Sequence, residues 1–172
     1  MRPANLSEQV SGSSARIDAR RECPRGANVL GVRKAVGDDF PLMLDPASQL
    51  RIWMDALYVG QACDEAGYYW YEDPYRDTRG AIEGHKRLRE RLKTLLLVGE
   101  HVRGIEAKAA FILAGGGDII HADPEYDMGI TGALKIAAFC QALGLDVQYH
   151  ACGLLTASSM RRLRIRAFTS WP

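Results

Sequence analysis

Five side chains suited to metal ligation or proton transfer recur at a nearly constant interval along this 172-residue chain. Each closes an apolar run: Asp45 in LMLDP, Glu72 in WYEDP, Glu100 in LVGEH, Asp123 in IHADP and His150 in VQYHA. They are spaced 27, 28, 23 and 27 residues apart, each interval long enough for one strand, one helix and two short loops. Three carboxylates gathered in one pocket repel one another unless a hard cation lies between them, and ligation by oxygen alone suits Mg²⁺ better than zinc. Asp45, Glu72 and Glu100 are therefore the expected metal ligands. A divalent ion with open positions would take both oxygens of a substrate carboxylate and stabilise the charge that builds when the adjoining carbon loses a proton. His150 is the expected base. Asp123, one strand earlier on the same rim, is placed to accept a hydrogen bond from the imidazole, fixing its tautomer and raising its basicity. His101, next to Glu100, is the expected substrate contact.

Each of these residues also has a plainer reading. Asp45 and Asp123 both precede proline, a context that suits a turn former. Asp73 and Asp127 lie near enough to compete for the roles given to Glu72 and Asp123. A histidine in an apolar strand is often a satisfied core residue; His121, by strand alternation, is expected to face the helix layer. Trp70 and the tyrosines around Glu72 read as core packing.

The elements that must position these residues follow from periodicity. Apolar runs at 40–44, 68–71, 95–98, 118–121 and 145–149 read as strands. Between them apolar residues return at helical spacing: Leu50, Trp53, Leu57 and Gly60; Ile82, Leu88 and Leu92; Ile105, Ala109, Ile112 and Leu113; Leu134, Ala137, Ala138 and Leu143. The segment 29–36 reads as a further helix leading into the first strand. Ser48 and Thr131 stand where N-caps are expected, and Gly67, Gly115 and Gly144 where left-handed residues end helices. Five strands alternating with about five helices predict βα units and a parallel sheet. In a (β/α) barrel every strand opens its C-terminal end on one face, so residues repeating at this period converge on a common pocket.

Bulk properties exclude several classes. A net charge of +1 removes the electrostatic footprint of a nucleic-acid binder, and no run approaches the ~18 apolar residues of a membrane span. The N-terminus has no apolar core of the secretory kind, so a cytoplasmic protein is expected. Cys23, Cys63, Cys140 and Cys152 form no C-x-x-C pair and read as reduced thiols. Residues 1–27 are expected to be a disordered arm, 28–153 the folded domain and 154–172 a tail made basic by Arg161, Arg162, Arg164 and Arg166.

The strings RKAVGDDFPLMLD, WYEDP, LLVGEH, DIIHADPEYDMGITGALKIAAFC and GLDVQYH resemble the barrel domain of mandelate racemase and muconate lactonizing enzyme-like members of the enolase superfamily, over residues 29–153. Several ordered motifs agree at once, which makes the resemblance specific. It implies that Asp45, Glu72 and Glu100 correspond to Mg²⁺ ligands, and His150 with Asp123 to the dyad that moves the α-proton. It also implies a small carboxylate substrate, commonly a sugar acid, with WYEDP and GEH more similar to acid-sugar dehydratases than to racemases. Family members carry an N-terminal capping domain and a Lys-x-Lys pair on the second barrel strand; neither is read here, where the first lysine, Lys34, falls in a helix. A full barrel takes about 250 residues. The expected fold is thus α/β, a partial TIM (β/α) barrel of about five to six βα units lacking the capping domain and the first and last barrel strands.

The expected function is Mg²⁺-dependent abstraction of the proton α to a carboxylate, as in a sugar-acid dehydratase or racemase working through an enediolate. Two alternatives from other classes stand beside it: a catalytically incomplete fragment that needs a partner chain to fold, and a binding module using the basic tail. No nucleic-acid or membrane partner is expected, and a homo-oligomer is left open.

Overall fold

The computed structural model describes residues 24–76 and 81–150; most of the expected N-terminal arm and the whole basic tail lie outside them. The chain runs α1 (Pro24–Val36), β1 (Met43–Leu44), α2 (Trp53–Ala66), β2 (Trp70–Glu72), α3 (Ile82–Arg89), β3 (Leu95–Val98), α4 (Ile105–Leu113), β4 (Ile119–Ala122), α5 (Gly129–Ala142) and β5 (Asp146–Tyr149). All neighbouring strands are parallel and lie in the order β1-β2-β3-β4-β5. Each strand pairs with the next in sequence after one helical crossover, which is the wall of a partial TIM barrel.

Strand alternation divides the apolar residues between two layers. Leu96, Val98, Ile120, Ala122, Val147 and Tyr149 face the helices and join Leu57, Leu88, Phe111 and Ile136 in the main core. The other face carries a small cluster of Trp70, Leu97 and Ile119. Burial on both faces explains why β3 and β4 read as almost unbroken apolar runs, LLLV and IIHA. Cys63 and Cys140 are free, buried thiols, and burial pushes Cys140 up to about 12, so both behave as small apolar residues of α2 and α5. No helix among the described residues is long and apolar enough to cross a membrane.

Glycines 67, 115 and 144 adopt φ of 63°, 76° and 71° at the helix ends where they were expected. Both expected N-caps fall elsewhere. Ser48 lies in a turn at φ 58°, with its N–H on the Asp73 carbonyl, while α2 starts only after Ile52. Thr131 lies inside α5, whose N-cap is Met128 in the left-handed region. Leu50 is buried but not helical: it pairs with Tyr75 in an isolated parallel bridge. The first strand is shorter than the run 40–44, because Pro41 has no N–H for a ladder and Phe40 remains 56% exposed. Helix α1 begins at Pro24, ahead of the expected 29–36.

At the opposite end of the sheet from the five polar residues, Asp64 of α2 holds the entry to β3. Its Oδ1 accepts the N–H groups of Lys93 and Thr94 and the Thr94 hydroxyl, at 2.7–2.9 Å. Asp64→Ala orphans all three donors, and is expected to cost about 1–3 kcal/mol in urea unfolding without altering the distant rim.

Candidate active site

The C-terminal strand ends bring the polar residues onto one rim. Glu72 is the last residue of β2 and His121 the third of β4; both continue the inward series begun by Trp70 and Ile119. The structure therefore corrects the expectation for His121: positions 120 and 122 face the helices, so position 121 points at Glu72, with Nε2 3.5 Å from Glu72 Oε1. Glu100 reaches the same space by a different route. Alternation in β3 would turn residue 100 outward, but Gly99 adopts φ 116°, a conformation that side-chain-bearing residues avoid, and swings Glu100 back inward. The Gly99 N–H is tied to Asp73 Oδ1 at 3.2 Å.

Glu100 is nearly buried, and both its oxygens are engaged: Oε1 by His101 Nε2 at 2.8 Å and Oε2 by His150 Nε2 at 3.0 Å. His150 Nδ1 lies 2.8 Å from Asp123 Oδ2. A carboxylate only accepts, so Nδ1 carries the hydrogen and Nε2 is left as the basic nitrogen. Two lone pairs cannot face each other at 3.0 Å, so a proton is shared between His150 Nε2 and Glu100. Their electrostatics agree. Glu100 is raised above the usual carboxylate range, first by burial and then by the charge of Asp73, against the lowering influence of the histidines. For His150 the largest influence, burial, lowers it, but the Asp123 hydrogen bond and the charges of Glu100, Asp123 and Glu72 together outweigh this and leave it raised.

Glu72 is also raised, chiefly by burial, with the charges of Asp45 and Asp73 adding and His121 and the Trp70 hydrogen bond opposing. Trp70 thus does more than fill the core: its indole N–H donates to Glu72 Oε2 at 3.1 Å and aims the carboxylate. Two largely desolvated carboxylates pushed toward protonation are a pair for which a cation would substitute. Glu72, Glu100 and His121 each offer one ligand atom within 4.8 Å of the others, close to the span of about 4.2 Å across a Mg²⁺ coordination sphere. The donors present therefore fit a single divalent ion after small side-chain adjustments.

Of the sequence-derived residues, Glu72, Glu100, His101, Asp123 and His150 come together directly. Asp45 is near enough for its charge to act on Glu72, but it is not in the three-residue group, and its Oδ1 accepts the Ala47 N–H at 2.6 Å in the turn that its Asp-Pro context suits. Asp73 is buried behind the site, and Asp127 serves another purpose. Its carboxylate, fully buried, pairs with the fully buried Lys108 of α4 at 2.6 Å and accepts the Asp123 N–H at 2.7 Å. Lys108 Nζ also donates to the His121 carbonyl at 2.9 Å. This ion pair clamps the three residues that deliver His121 and Asp123 to the rim. Sequence reasoning missed both Lys108 and the inward His121.

The chain matches the enolase C-terminal domain-like family over residues 25–169, extending past residue 153, where the sequence resemblance was expected to stop. Among curated proteins it is 33% identical over 119 residues to the L-talarate/galactarate dehydratase of Salmonella typhimurium, an alignment covering 69% of this chain and 29% of that protein. It is 26% identical over 122 residues to the D-gluconate dehydratase of Thermoproteus tenax, covering 71% and 24%. The chain thus spans about a quarter of the length of these relatives. Its fold superposes on a D-glucarate dehydratase from Agrobacterium tumefaciens complexed with magnesium, with a TM-score of 0.73, 27% identity, and coverage of 82% of this chain and 36% of that one. It also superposes on a magnesium-bound racemase from Streptomyces coelicolor, with a TM-score of 0.74 and 22% identity, over 82% and 41%; at that identity the likeness is one of fold.

Proposed function

Because this chain belongs to the enolase C-terminal domain-like family, we propose that its rim supports Mg²⁺-dependent removal of the proton α to a carboxylate, in sugar-acid dehydratase or racemase chemistry. The observation that carries this reading is the contact of two units: the His150–Asp123 dyad abuts the Glu72–Glu100 pair through the 3.0 Å contact between His150 and Glu100. Glu72 and Glu100 are the assigned ligands, with Asp45 completing the set once its side chain leaves the Ala47 turn. Bound there, Mg²⁺ would supply a Lewis acid that polarises the substrate carboxylate and acidifies the neighbouring C–H.

The protein groups do the rest. With Glu100 engaged in ligation, His150 Nε2 loses its present neighbour and is free to take the α-proton. Asp123 holds the ring's Nδ1–H, so the imidazolium formed is stabilised and its orientation kept. His101, 41% exposed at its side chain and anchored on Glu100, stands where a substrate hydroxyl or carboxylate would meet it. A dehydratase must also expel a β-hydroxyl; His150, once protonated, is the acid assigned to that step.

Calorimetric titration of Mg²⁺ into the whole chain, Glu72→Gln and Glu100→Gln tests the ligand assignment. Each substitution is expected to weaken binding by about tenfold or more, and equal binding in all three proteins would eliminate the site. The same preparations are then assayed for dehydration of galactarate, gluconate and glucarate.

A second reading is favoured by the sheet edges. Among the described residues β1 and β5 each pair on one side only, and Met43 is 45% exposed on the inner face. Such edges invite pairing with further strands, so the chain would work as one part of a larger assembly. Size-exclusion chromatography distinguishes the two: a monomer that turns over sugar acids is incompatible with the second.

A further inference from the structure

We propose that His121 is a nitrogen ligand of the metal centre, held by Asp73 behind it, so that the site favours first-row transition ions such as Mn²⁺ over Mg²⁺. This rests on the metal reading above but goes beyond its carboxylate ligands. His121 is 2% exposed, yet its Nδ1 has no hydrogen-bond partner, and neither has Oδ2 of the fully buried Asp73. These two orphaned atoms face each other at 3.9 Å, about an ångström beyond hydrogen-bonding distance.

Closing that gap would place the imidazole hydrogen on Nδ1 and leave Nε2 with its lone pair directed at Glu72 Oε1, 3.5 Å away. A lone pair facing a carboxylate oxygen is repulsive unless something positive lies between them. Nε2 is also one of the three ligand atoms that fall within 4.8 Å of one another with Glu72 and Glu100. Carboxylate, imidazole and ion in line is the arrangement by which proteins commonly orient a ligating histidine and raise its donor strength.

The ring has little freedom to do otherwise. Its backbone is paired with Gln148 in β5 and its carbonyl is held by Lys108, while the His150 ring stands 5.3 Å away at 53°. Asp73 is equally fixed, with Oδ1 on the Gly99 N–H. Its backbone is held at φ 27°, an uncommon conformation that persists only where its surroundings impose it. An imidazole donor shifts a site from hard cations toward first-row transition ions, whose affinity for nitrogen exceeds that of magnesium.

The test is pulsed electron paramagnetic resonance of the whole chain loaded with Mn²⁺, alongside Mn²⁺ and Mg²⁺ calorimetry. Modulation from a directly bound ¹⁴N is expected in the unsubstituted protein, in His101→Gln and in His150→Gln, and is expected to vanish in His121→Gln. The Mn²⁺ to Mg²⁺ affinity ratio should fall at least about tenfold in His121→Gln. Asp73→Asn should keep the nitrogen signal but weaken Mn²⁺ by roughly 10- to 100-fold. Should His121→Gln fail to fold, persistence of the signal in the combined His101→Gln/His150→Gln variant still assigns it, since the remaining histidine, His85, is buried on α3 with Nδ1 on the Ala81 carbonyl. Mn²⁺ binding without nitrogen modulation would overturn the role of His121 and leave the carboxylate site standing; no binding of either ion would overturn both.

Discussion

Lys108→Met is expected to destabilise the protein by about 3–5 kcal/mol, the range found when one member of a buried ion pair is removed. Neither side chain of the Lys108–Asp127 pair has any solvent exposure, so the Asp127 carboxylate would be left charged in the interior, or forced to take up a proton. Burial lowers Lys108, and the charge and hydrogen bond of Asp127, with the charges of Asp123 and Asp73, only partly oppose it. The double variant Lys108→Met/Asp127→Leu should recover much of the loss, because well-packed apolar residues often replace a buried pair at little cost. Recovery should nevertheless stop short by about 1–3 kcal/mol, since the Asp123 N–H would lose its acceptor. Urea denaturation of the three proteins measures each step. If Lys108→Met unfolds at the same midpoint as the unsubstituted protein, the pair is not a brace.

The cost of burying that pair is offset by position rather than by net stability. Lys108 and Asp127 bind the carbonyl of residue 121 and the N–H of residue 123, on either side of Ala122, and so fix where β4 ends. A Cβ on Gly132 would collide with the Asp127 carbonyl, which means that the start of α5 closes directly over the same turn. The geometry of the rim is therefore set from outside the barrel, by a helix-layer contact.

This explains which parts of the site were legible. Residues at strand ends announce themselves by period: Glu72, Glu100, Asp123 and His150 recur at the length of a βα unit, and convergence follows from parallel strands sharing a direction. Inward or outward orientation is a finer matter, because a one-residue change of phase flips the face. His121 was assigned to the helix layer, but β4 runs on to Ala122 and keeps position 121 in phase with Ile119. Glu100 shows the opposite case, where alternation alone would have turned it away and Gly99 restores it. The glycine at that point was the available signal. Lys108 offered none: on α4 its neighbours in sequence do not reveal that its ammonium will meet a carboxylate 19 residues later. Caps failed for a related reason, since α2 and α5 begin without any side-chain cap bond and are fixed by tertiary contacts instead.

On the proposed reaction, His150→Asn is expected to slow exchange of a sugar acid's α-proton with D₂O by about 10²- to 10⁴-fold, the usual contribution of a positioned base, with Mg²⁺ affinity retained because the imidazole is not an assigned ligand. Asp123→Asn should fall in the same range while leaving the base in place, since an amide can present its NH₂ to Nδ1 and drive the ring to the wrong tautomer. The dyad also makes a signed statement about pH. In the metal-free protein His150 should titrate above the ordinary histidine value of about 6.5, because the Asp123 hydrogen bond and the surrounding carboxylates outweigh burial. A raised folded-state value means that the stability contributed by the charged dyad is complete below pH about 6.5 and is lost as pH rises through the folded value. Asp123→Asn removes both the hydrogen bond and one of the charges, so the NMR titration midpoint of His150 should drop and the pH-dependent part of the stability should shrink with it. An unchanged midpoint in that variant would mean that Asp123 does not tune the imidazole, and the base would then have to owe its basicity to Glu100 and Glu72 alone.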